Sequence, residues 1–219
     1  MLHTRGKPSK PDNVDLAKVL YKGNNKSSRL SRADWITAAR DVLITERKDA
    51  LKIKRIAEKL NVTRGGFYWH FRDRDDLLDS LLKSWEKETN VLFEQTLSGD
   101  HTDGMAEFCA LCRSWVNEDV YNPAYDSAVR DWARVSNRAE KAVKRVDRKR
   151  IDIIKRIFLD IGYPEDKAFI RARVTYFHQV GYYTLGVGET RPHRRKLVPL
   201  YIEALTGHKV NYEDVFPKD

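Results

Sequence analysis

The sequence predicts an all-α fold of about nine helices, and three observations support that prediction. Apolar residues recur at helical spacing from Trp35 almost to the end of the chain. No stretch alternates apolar and polar residues in the manner of a β-strand, and no motif repeats at a fixed period, which argues against a solenoid. At 219 residues, the chain is long enough for one sizeable hydrophobic core or two small ones.

The first 30 residues are rich in Lys, Pro, Asn and Ser and contain one weak apolar patch. We expect residues 1–30 to form a flexible basic N-terminal extension. A basic arm of this kind can lie along the minor groove when a DNA-binding unit follows it, and a plain disordered tail is the alternative.

The first helix is predicted to begin at Ser31, which has the spacing of a capping box with Asp34. Apolar side chains then recur at helical spacing at Trp35, Ile36, Ala39, Val42 and Leu43. We expect this helix to form one wall of a small three-helix core.

The stretch from Lys52 to Leu78 predicts two short helices joined by a tight turn. The first has an apolar face made of Ile53, Ile56, Ala57 and Leu60. Asn61 tolerates the left-handed backbone of a helix end, and Thr63 can cap a second helix by accepting a bond from a backbone N–H. Two helices in this arrangement are typical of a helix-turn-helix that reads the major groove of DNA.

The second helix carries four aromatic residues that must face different ways. Phe67 and Phe71 are four residues apart and belong on the inner face, whereas Tyr68 and Trp69 point toward solvent or DNA. Two glycines at positions 65 and 66 weaken the helix by roughly 1 kcal/mol each relative to alanine. They leave room either for close approach of the backbone to DNA or for packing against the preceding helix.

This stretch resembles the DNA-binding signature of TetR-type transcriptional regulators. In that signature, an I-A-x-x-x-x-V-S/T helix-turn is followed by Y-x-H-F, a short gap, a basic residue and L-L. The matching residues here are Ile56-Ala57, Val62-Thr63, Tyr68-Trp69-His70-Phe71, Arg74 and Leu77-Leu78. Asn61 stands where the family usually has Gly, and Arg74 where it usually has Lys; both changes are mild, because Asn accepts positive φ and Arg keeps the positive charge.

The resemblance implies a DNA-binding regulator, usually a repressor, that works as a homodimer on an imperfectly palindromic operator. It implies phosphate contacts for Tyr68 and His70, and effector binding inside the C-terminal helices. In the family the last two long helices form the dimer interface, which corresponds here to residues 166–187 and 194–205. The candidate DNA-binding residues are Lys52, Lys54, Thr63, Arg64, Gly65, Tyr68, Trp69, His70 and Arg74.

Positive charge is concentrated in the N-terminal third of the chain. Residues 1–72 hold 17 Lys and Arg against 7 Asp and Glu, whereas residues 73–219 hold 24 against 25. An excess of this kind suits a polyanionic partner such as double-stranded DNA. A basic face kept for solubility is the alternative.

The rest of the chain is predicted to be helical. A long helix starts at Asp73 and Asp76 and ends before Gly99, and further helices cover 105–116, 123–135, 139–161, 166–187 and 197–205. We therefore expect a helix-turn-helix domain over 31–76 and a helical regulatory and dimerisation domain over 77–219.

The C-terminal helices are rich in aromatic residues, which are most often ordinary core. An effector cavity would also need a few convergent polar groups in its walls. The candidate ligand-binding residues are Trp115, Tyr125, Arg130, Trp132, Arg134, Tyr176, His178 and Gln179.

The sequence contains no motif that favours an enzyme, a metalloprotein or a membrane protein. Cys109 and Cys112 have the C-x-x-C spacing, but no further ligands accompany them, so we expect reduced core or pocket thiols and no metal or other cofactor. No common catalytic signature is present. Neither a secretory signal nor an apolar run of about 20 residues occurs, so we expect a cytoplasmic protein without membrane contact. A DNA-binding regulator controlled by a protein partner, or without any effector, is the alternative function.

Overall fold

The computed structural model describes residues 30–99, 103–118 and 122–217. Apart from Leu30, the extension predicted for residues 1–30 lies outside these described residues.

The all-α prediction is confirmed, because the described residues form nine α-helices and two 3₁₀ helices and contain no strand. In chain order, the α-helices are α1 (Arg32–Glu46), α2 (Ile53–Lys59), α3 (Arg74–Ser98), α4 (Gly104–Asn117), α5 (Pro123–Ala133), α6 (Asn137–Asp160), α7 (Glu165–Leu185), α8 (Arg191–Thr206) and α9 (Tyr212–Val215). The two 3₁₀ helices are Lys48–Ala50 and Arg64–Trp69.

Capping side chains set several of the helix boundaries. Ser31 and Asp34 form the predicted capping box at the start of α1. The Asp73 carboxylate accepts a hydrogen bond from the Asp76 N–H at 2.9 Å, which starts α3. Gly99 follows the last residue of α3, as predicted.

Two helices near the C-terminus differ from the prediction. α8 begins at Arg191, before its predicted apolar segment, because the Thr190 hydroxyl caps the His193 N–H at 3.4 Å and Pro192 suits a first helical turn. The short helix α9 has no counterpart in the prediction, since four residues are too few to show a helical period.

The start of α4 packs very closely on the end of α6 at Gly104. A Cβ atom added there would lie 2.7 Å from the Ile161 nitrogen and 2.8 Å from the carbonyl carbon of Asp160. Both atoms belong to the backbone and have little freedom to move. Any larger residue at position 104 would therefore push these two helices apart.

Two hydrophobic clusters fill the interior, and α3 contributes to both. The first cluster joins α1, α2, the Arg64–Trp69 helix and the first half of α3 to α5 and the start of α6. The second contains the end of α3, the end of α6 and helices α4, α7, α8 and α9. Residues from Ser31 onward form one compact unit, and the domain boundary between 76 and 77 stays a prediction.

None of the helices in the described ranges combines the length and the apolar composition that crossing a membrane requires.

Candidate functional site

The turn between the two helices of the N-terminal motif is built around Asn61. Its φ of 54° is left-handed, as predicted. The Val62 N–H donates to the Ala57 carbonyl at 3.0 Å and closes the end of α2. The chain then enters the Arg64–Trp69 helix after only a few residues.

The predicted form of this second helix is wrong in two respects. Thr63 occupies the N-cap position, but its hydroxyl makes no capping hydrogen bond in this part of the structure. The helix is also a 3₁₀ helix, although a capped α-helix was expected. Gly65 and Gly66 explain the difference, because each disfavours an α-helix by roughly 1 kcal/mol and the 3₁₀ form is common in short pieces.

The predicted division of the aromatic residues is confirmed. Phe67 and Phe71 are buried, and the Phe67 ring meets the Trp35 ring edge-on at a centroid distance of 5.4 Å. Tyr68 and Trp69 are 63% and 80% exposed. The buried pair therefore anchors a short helix that presents two large aromatic side chains to solvent.

Arg32 fixes the end of this helix, and sequence reasoning did not find it. Its guanidinium donates to the His70 carbonyl, to Asp76 at 2.9 Å and to the Ser80 hydroxyl at 2.6 Å. It also lies 4.2 Å from the centroid of the Phe71 ring. The hydrogen bond from Arg32, followed by one from the Arg72 N–H, holds the pKa of Asp76 below its ordinary value.

Arg74 has a structural contact in addition to its predicted role. Its Nε donates to the Leu51 carbonyl at 2.6 Å and so ties the first turn of α3 to the residues before α2. Contact of Arg74 with a DNA phosphate stays a prediction.

The other basic candidates are exposed and differ in their partners. Lys54 lies 3.8 Å from the Glu58 carboxylate in a pair along α2. Lys52 and Arg64 form no ion pair with any described residue. Arg64 lies on the same short helix as the exposed Tyr68 and Trp69, and its uncompensated positive charge suits a negatively charged surface.

The two glycines of the 3₁₀ helix are not required by packing. A Cβ at Gly66 would lie 3.8 Å from the Trp35 ring, and a Cβ at Gly65 would lie 3.7 Å from the Thr63 hydroxyl. Both are ordinary van der Waals distances, and neither glycine has a positive φ. The fold itself would accept alanine at either position.

Comparison with known families decides what this region is. Residues 36–81 match the family model described as bacterial regulatory proteins, tetR family. This region, the TetR domain of the chain, is similar to the DNA-binding domain of TetR-family regulators. The match spans most of α1, all of α2, the Arg64–Trp69 helix and the first turns of α3, and the protein is a DNA-binding transcriptional regulator.

Solved structures show the same fold over most of the chain. Reduced NemR from E. coli aligns with a TM-score of 0.64 at 12% identity, covering 80% of this chain and 96% of that chain. GusR from Salmonella enterica gives 0.64 at 15% identity, with 80% and 93% covered. A transcriptional regulator from Rhodococcus sp. Rha1 gives 0.61 at 16% identity, with 81% and 95% covered. Identities this low establish the shared fold alone, and no curated protein sequence matches this chain.

The eight candidate ligand residues lie in the helices that follow the TetR domain, but the structure does not bring them into one site. Three of them, Trp115, His178 and Gln179, line one cavity between α4, α7 and α8. The other lining residues are Cys112, Val116, Tyr182, Glu189, Arg194, Val198, Tyr201 and Leu205. This cavity is the candidate effector site.

Arg130 and Tyr176 belong instead to a partly buried polar network at the edge of the second hydrophobic cluster, of which Tyr176 is a member. Arg130 donates to Asp126 at 2.7 Å and to Asp147 at 2.8 Å. The Tyr176 hydroxyl accepts from Arg130 at 2.9 Å and donates to Asp147 at 2.6 Å. Burial raises the pKa of Tyr176 to about 12, so the hydroxyl stays protonated.

The same network reaches α3 through Arg150. Its Nη2 donates to the Thr89 carbonyl at 3.2 Å, and its Nη1 lies 3.7 Å from the Asp126 carboxylate. The network therefore joins α5, α6 and α7 to the helix that leads into the TetR domain.

The remaining three candidates lie away from the cavity. Tyr125 is buried in the first hydrophobic cluster, where its hydroxyl donates to the Leu81 carbonyl at 2.9 Å. Trp132 is buried in the same cluster. Arg134 is exposed and lies 3.6 Å from Asp131.

The two cysteines are buried free thiols. Burial raises the pKa of Cys109 to about 11 and that of Cys112 still further, so both resist ionisation. The ranges that the structure describes contain no cluster of His, Cys, Asp and Glu able to hold a metal ion.

Proposed function

We propose that this regulator is a dimeric repressor that binds an imperfectly palindromic operator and releases it when a small molecule enters the helical body. The observation that carries the proposal is the Arg64–Trp69 helix, which is anchored by buried Phe67 and presents exposed Tyr68 and Trp69 beside uncompensated basic residues. Large exposed aromatic side chains on a basic surface are costly in water and useful against DNA.

The residues of this surface divide by the part of DNA that they address. Tyr68, His70 and Arg74 contact backbone phosphates, and Lys52 and Lys54 add positive charge there. Arg64 and Trp69 address base edges in the major groove. Beside them, Thr63 and Gly65 form the start of the helix, where a small residue permits close approach of the backbone.

The dimer forms through α7 and α8. One face of α7 carries exposed apolar residues at helical spacing on either side of Gly181, at Ile170, Val174, Phe177 and Leu185. A Cβ added at Gly181 would meet nothing within 4 Å, so this subunit does not itself require glycine there. A large apolar face with a small residue at its centre fits a second copy of the same helix.

Helix α6 contacts α3 in two places, which supports coupling between effector binding and DNA binding. Near the TetR domain, Arg138 of α6 contacts Asp75 and Asp79 of α3, each at 3.2 Å. Further along, Arg150 binds the Thr89 carbonyl. A ligand that moves α7 relative to α6 can therefore tilt α3 and change the spacing of the two Arg64–Trp69 helices of the dimer, which are its recognition helices.

The DNA-binding roles are tested with matched arginine and tyrosine variants. Arg64→Ala should cost ~1–3 kcal/mol on the preferred duplex and little on a scrambled one. Tyr68→Ala should weaken both equally, and the affinity of the unmodified protein should fall steeply with salt. Arg134→Ala, outside the TetR domain, serves as the control. Fluorescence anisotropy that shows unchanged specific binding in both variants would reject this surface.

The effector role is tested by titrating a ligand with and without operator DNA. A hundredfold loss of operator affinity corresponds to ~2.7 kcal/mol of coupling, and the operator must weaken ligand binding by the same factor. Equal ligand affinities in the two titrations would show that the compound does not release DNA. Failure of every compound in a broad screen would favour control by a protein partner or no control at all.

A further inference from the structure

The walls of the cavity between α4, α7 and α8 favour a flat ring. Trp115, Tyr182 and Tyr201 line it from three helices, and the His178 and Tyr201 rings lie 4.7 Å apart between centroids. Aromatic walls bind a further ring through offset-stacked or edge-to-face contacts. A long flexible chain would gain less from these walls and would lose more conformational entropy on binding.

Two of the polar wall residues are uncharged near neutral pH because they are buried. Burial lowers the pKa of His178, so its imidazole is neutral at pH 7. Burial raises the pKa of Cys112, so its thiol stays protonated. Neither group offers a charge to a ligand.

The two charged wall residues are already engaged by the protein. Arg194 forms an ion pair with Glu118 and donates to the Trp115 carbonyl at 3.1 Å. Glu189 accepts from the Tyr182 hydroxyl at 3.0 Å and lies 3.8 Å from His193. A charged ligand would have to give up its hydration for partners that already have other contacts, which is unfavourable.

One wall residue has unused hydrogen-bonding capacity. Gln179 lines the cavity, and its buried amide nitrogen forms no hydrogen bond with any described residue. The last side-chain torsion of Gln is soft, so rotation brings this amide toward the cavity at low cost. A ligand atom that accepts a hydrogen bond would satisfy the amide.

The cavity also limits the size of its ligand. Its volume is about 50 Å³, whereas a dry protein cavity of about 150 Å³ is known to bind benzene. A ring therefore enters only when a wall side chain moves. Tyr201 lines the cavity and is 38% exposed in the single subunit, so its ring is the wall side chain with room to move.

From these observations together, we propose that the cavity binds an uncharged single-ring compound with one hydrogen-bond acceptor, and that the Gln179 amide donates to that acceptor. The proposal deepens the proposed function and rests on it only in taking this cavity as the effector site.

Four small probes of similar size differ in charge and in whether they carry a hydrogen-bond acceptor, so they test these two properties of the ligand separately. Acetophenone is neutral and has an acceptor, ethylbenzene is neutral and has none, benzoate is an anion and benzylammonium is a cation. Ligand-detected NMR titrations of the unmodified protein should show acetophenone binding about tenfold more tightly than ethylbenzene, the difference that one hydrogen bond makes. Both ions should bind more weakly than acetophenone. Tighter binding of either ion, or no binding of any probe, would overturn the proposal.

A matched pair of variants tests the role of Gln179. Gln179→Leu should weaken acetophenone about tenfold and leave ethylbenzene unchanged or slightly tighter, whereas Gln95→Leu, the same substitution on an exposed part of α3, should change neither. Equal weakening of both neutral probes by Gln179→Leu would show general damage and overturn the assignment. If that variant does not fold, the four-probe comparison on the unmodified protein still decides. DNA binding is measured separately, so a failure of the repressor proposal is not confused with a failure of this one.

Discussion

The Arg32 guanidinium donates a hydrogen bond to the carbonyl of His70, so the first residue of α1 holds the residue that follows the recognition helix. The same group binds Asp76 and Ser80 on α3. One side chain thus joins the three elements whose relative placement sets the direction of Tyr68 and Trp69.

Arg32→Ala should weaken DNA binding through the position of the recognition helix. Loss of these partly exposed hydrogen bonds should lower the free energy of unfolding by about 1 kcal/mol and reduce affinity for the preferred duplex about tenfold. Arg40→Ala, on the same helix but without contact to the recognition helix, is the control. Fluorescence anisotropy measures the DNA affinity, and thermal unfolding measures the stability. Unchanged DNA affinity in Arg32→Ala would show that Arg32 does not position the recognition helix.

Gly65→Ala should weaken DNA binding without lowering the stability of the protein. A Cβ fits at this position, so the variant should be as stable as the unmodified protein or more stable by up to about 1 kcal/mol. If the backbone approaches DNA at Gly65, affinity should nevertheless fall severalfold. Gly66→Ala is the matched control, since that position faces Trp35. Normal DNA binding by Gly65→Ala would show that this glycine does not serve close approach.

Arg47→Gly should stabilise the protein. Arg47 has φ 65° and ψ 177°, a backbone conformation that is nearly restricted to glycine. Relief of that strain should raise the free energy of unfolding by about 1 kcal/mol. Arg47→Ala removes the same charge but keeps the strain, so it should give no gain. Equal stability of the two variants in urea unfolding would show that the strain is negligible.

Phe177→Glu should dissociate the dimer. Phe177 is 51% exposed on the apolar face of α7, and a carboxylate there would be buried against a second copy. Sedimentation velocity should show a monomer, and operator affinity should fall with it. The control is Val135→Glu, because Val135 is 67% exposed and lies outside α7 and α8. A dimer that persists in Phe177→Glu would place the interface elsewhere.

His178 should make stability depend on pH in the acidic range. Burial lowers its pKa in the folded state, so the unfolded chain binds a proton more readily. The stabilising effect of neutral His178 is therefore present above the ordinary pKa of about 6.5 and is lost as the pH falls through the folded pKa. Thermal unfolding between pH 7 and pH 5 should show a smaller loss in His178→Gln than in the unmodified protein. An identical slope in the two proteins would contradict the prediction.

The local features of the TetR domain were predictable because they depend on neighbours in sequence. The capping box at Ser31 and the left-handed Asn61 follow from side-chain chemistry within a few residues. The burial of Phe67 beside exposed Tyr68 follows from helical spacing, which assigns a face to each position. The 3₁₀ form of the recognition helix was missed because periodicity does not distinguish it from a short α-helix.

The long-range contacts were not predictable from spacing. Arg32 and Asp76 are 44 residues apart, and nothing in the sequence marks them as partners. The candidate ligand residues were chosen as aromatic or polar positions on apolar helix faces. Spacing shows that such a face is buried but not which helix covers it, so Tyr125 packs near the TetR domain while Gln179 lines a cavity.

The most direct test is selection of bound fragments from a genomic DNA pool, with Arg64→Ala protein run in parallel. The unmodified protein should enrich an imperfect palindrome, with two protein copies on each duplex, and Arg64→Ala protein should enrich it much less. Recovery of no common sequence, or of an asymmetric site occupied by a single copy, would contradict it.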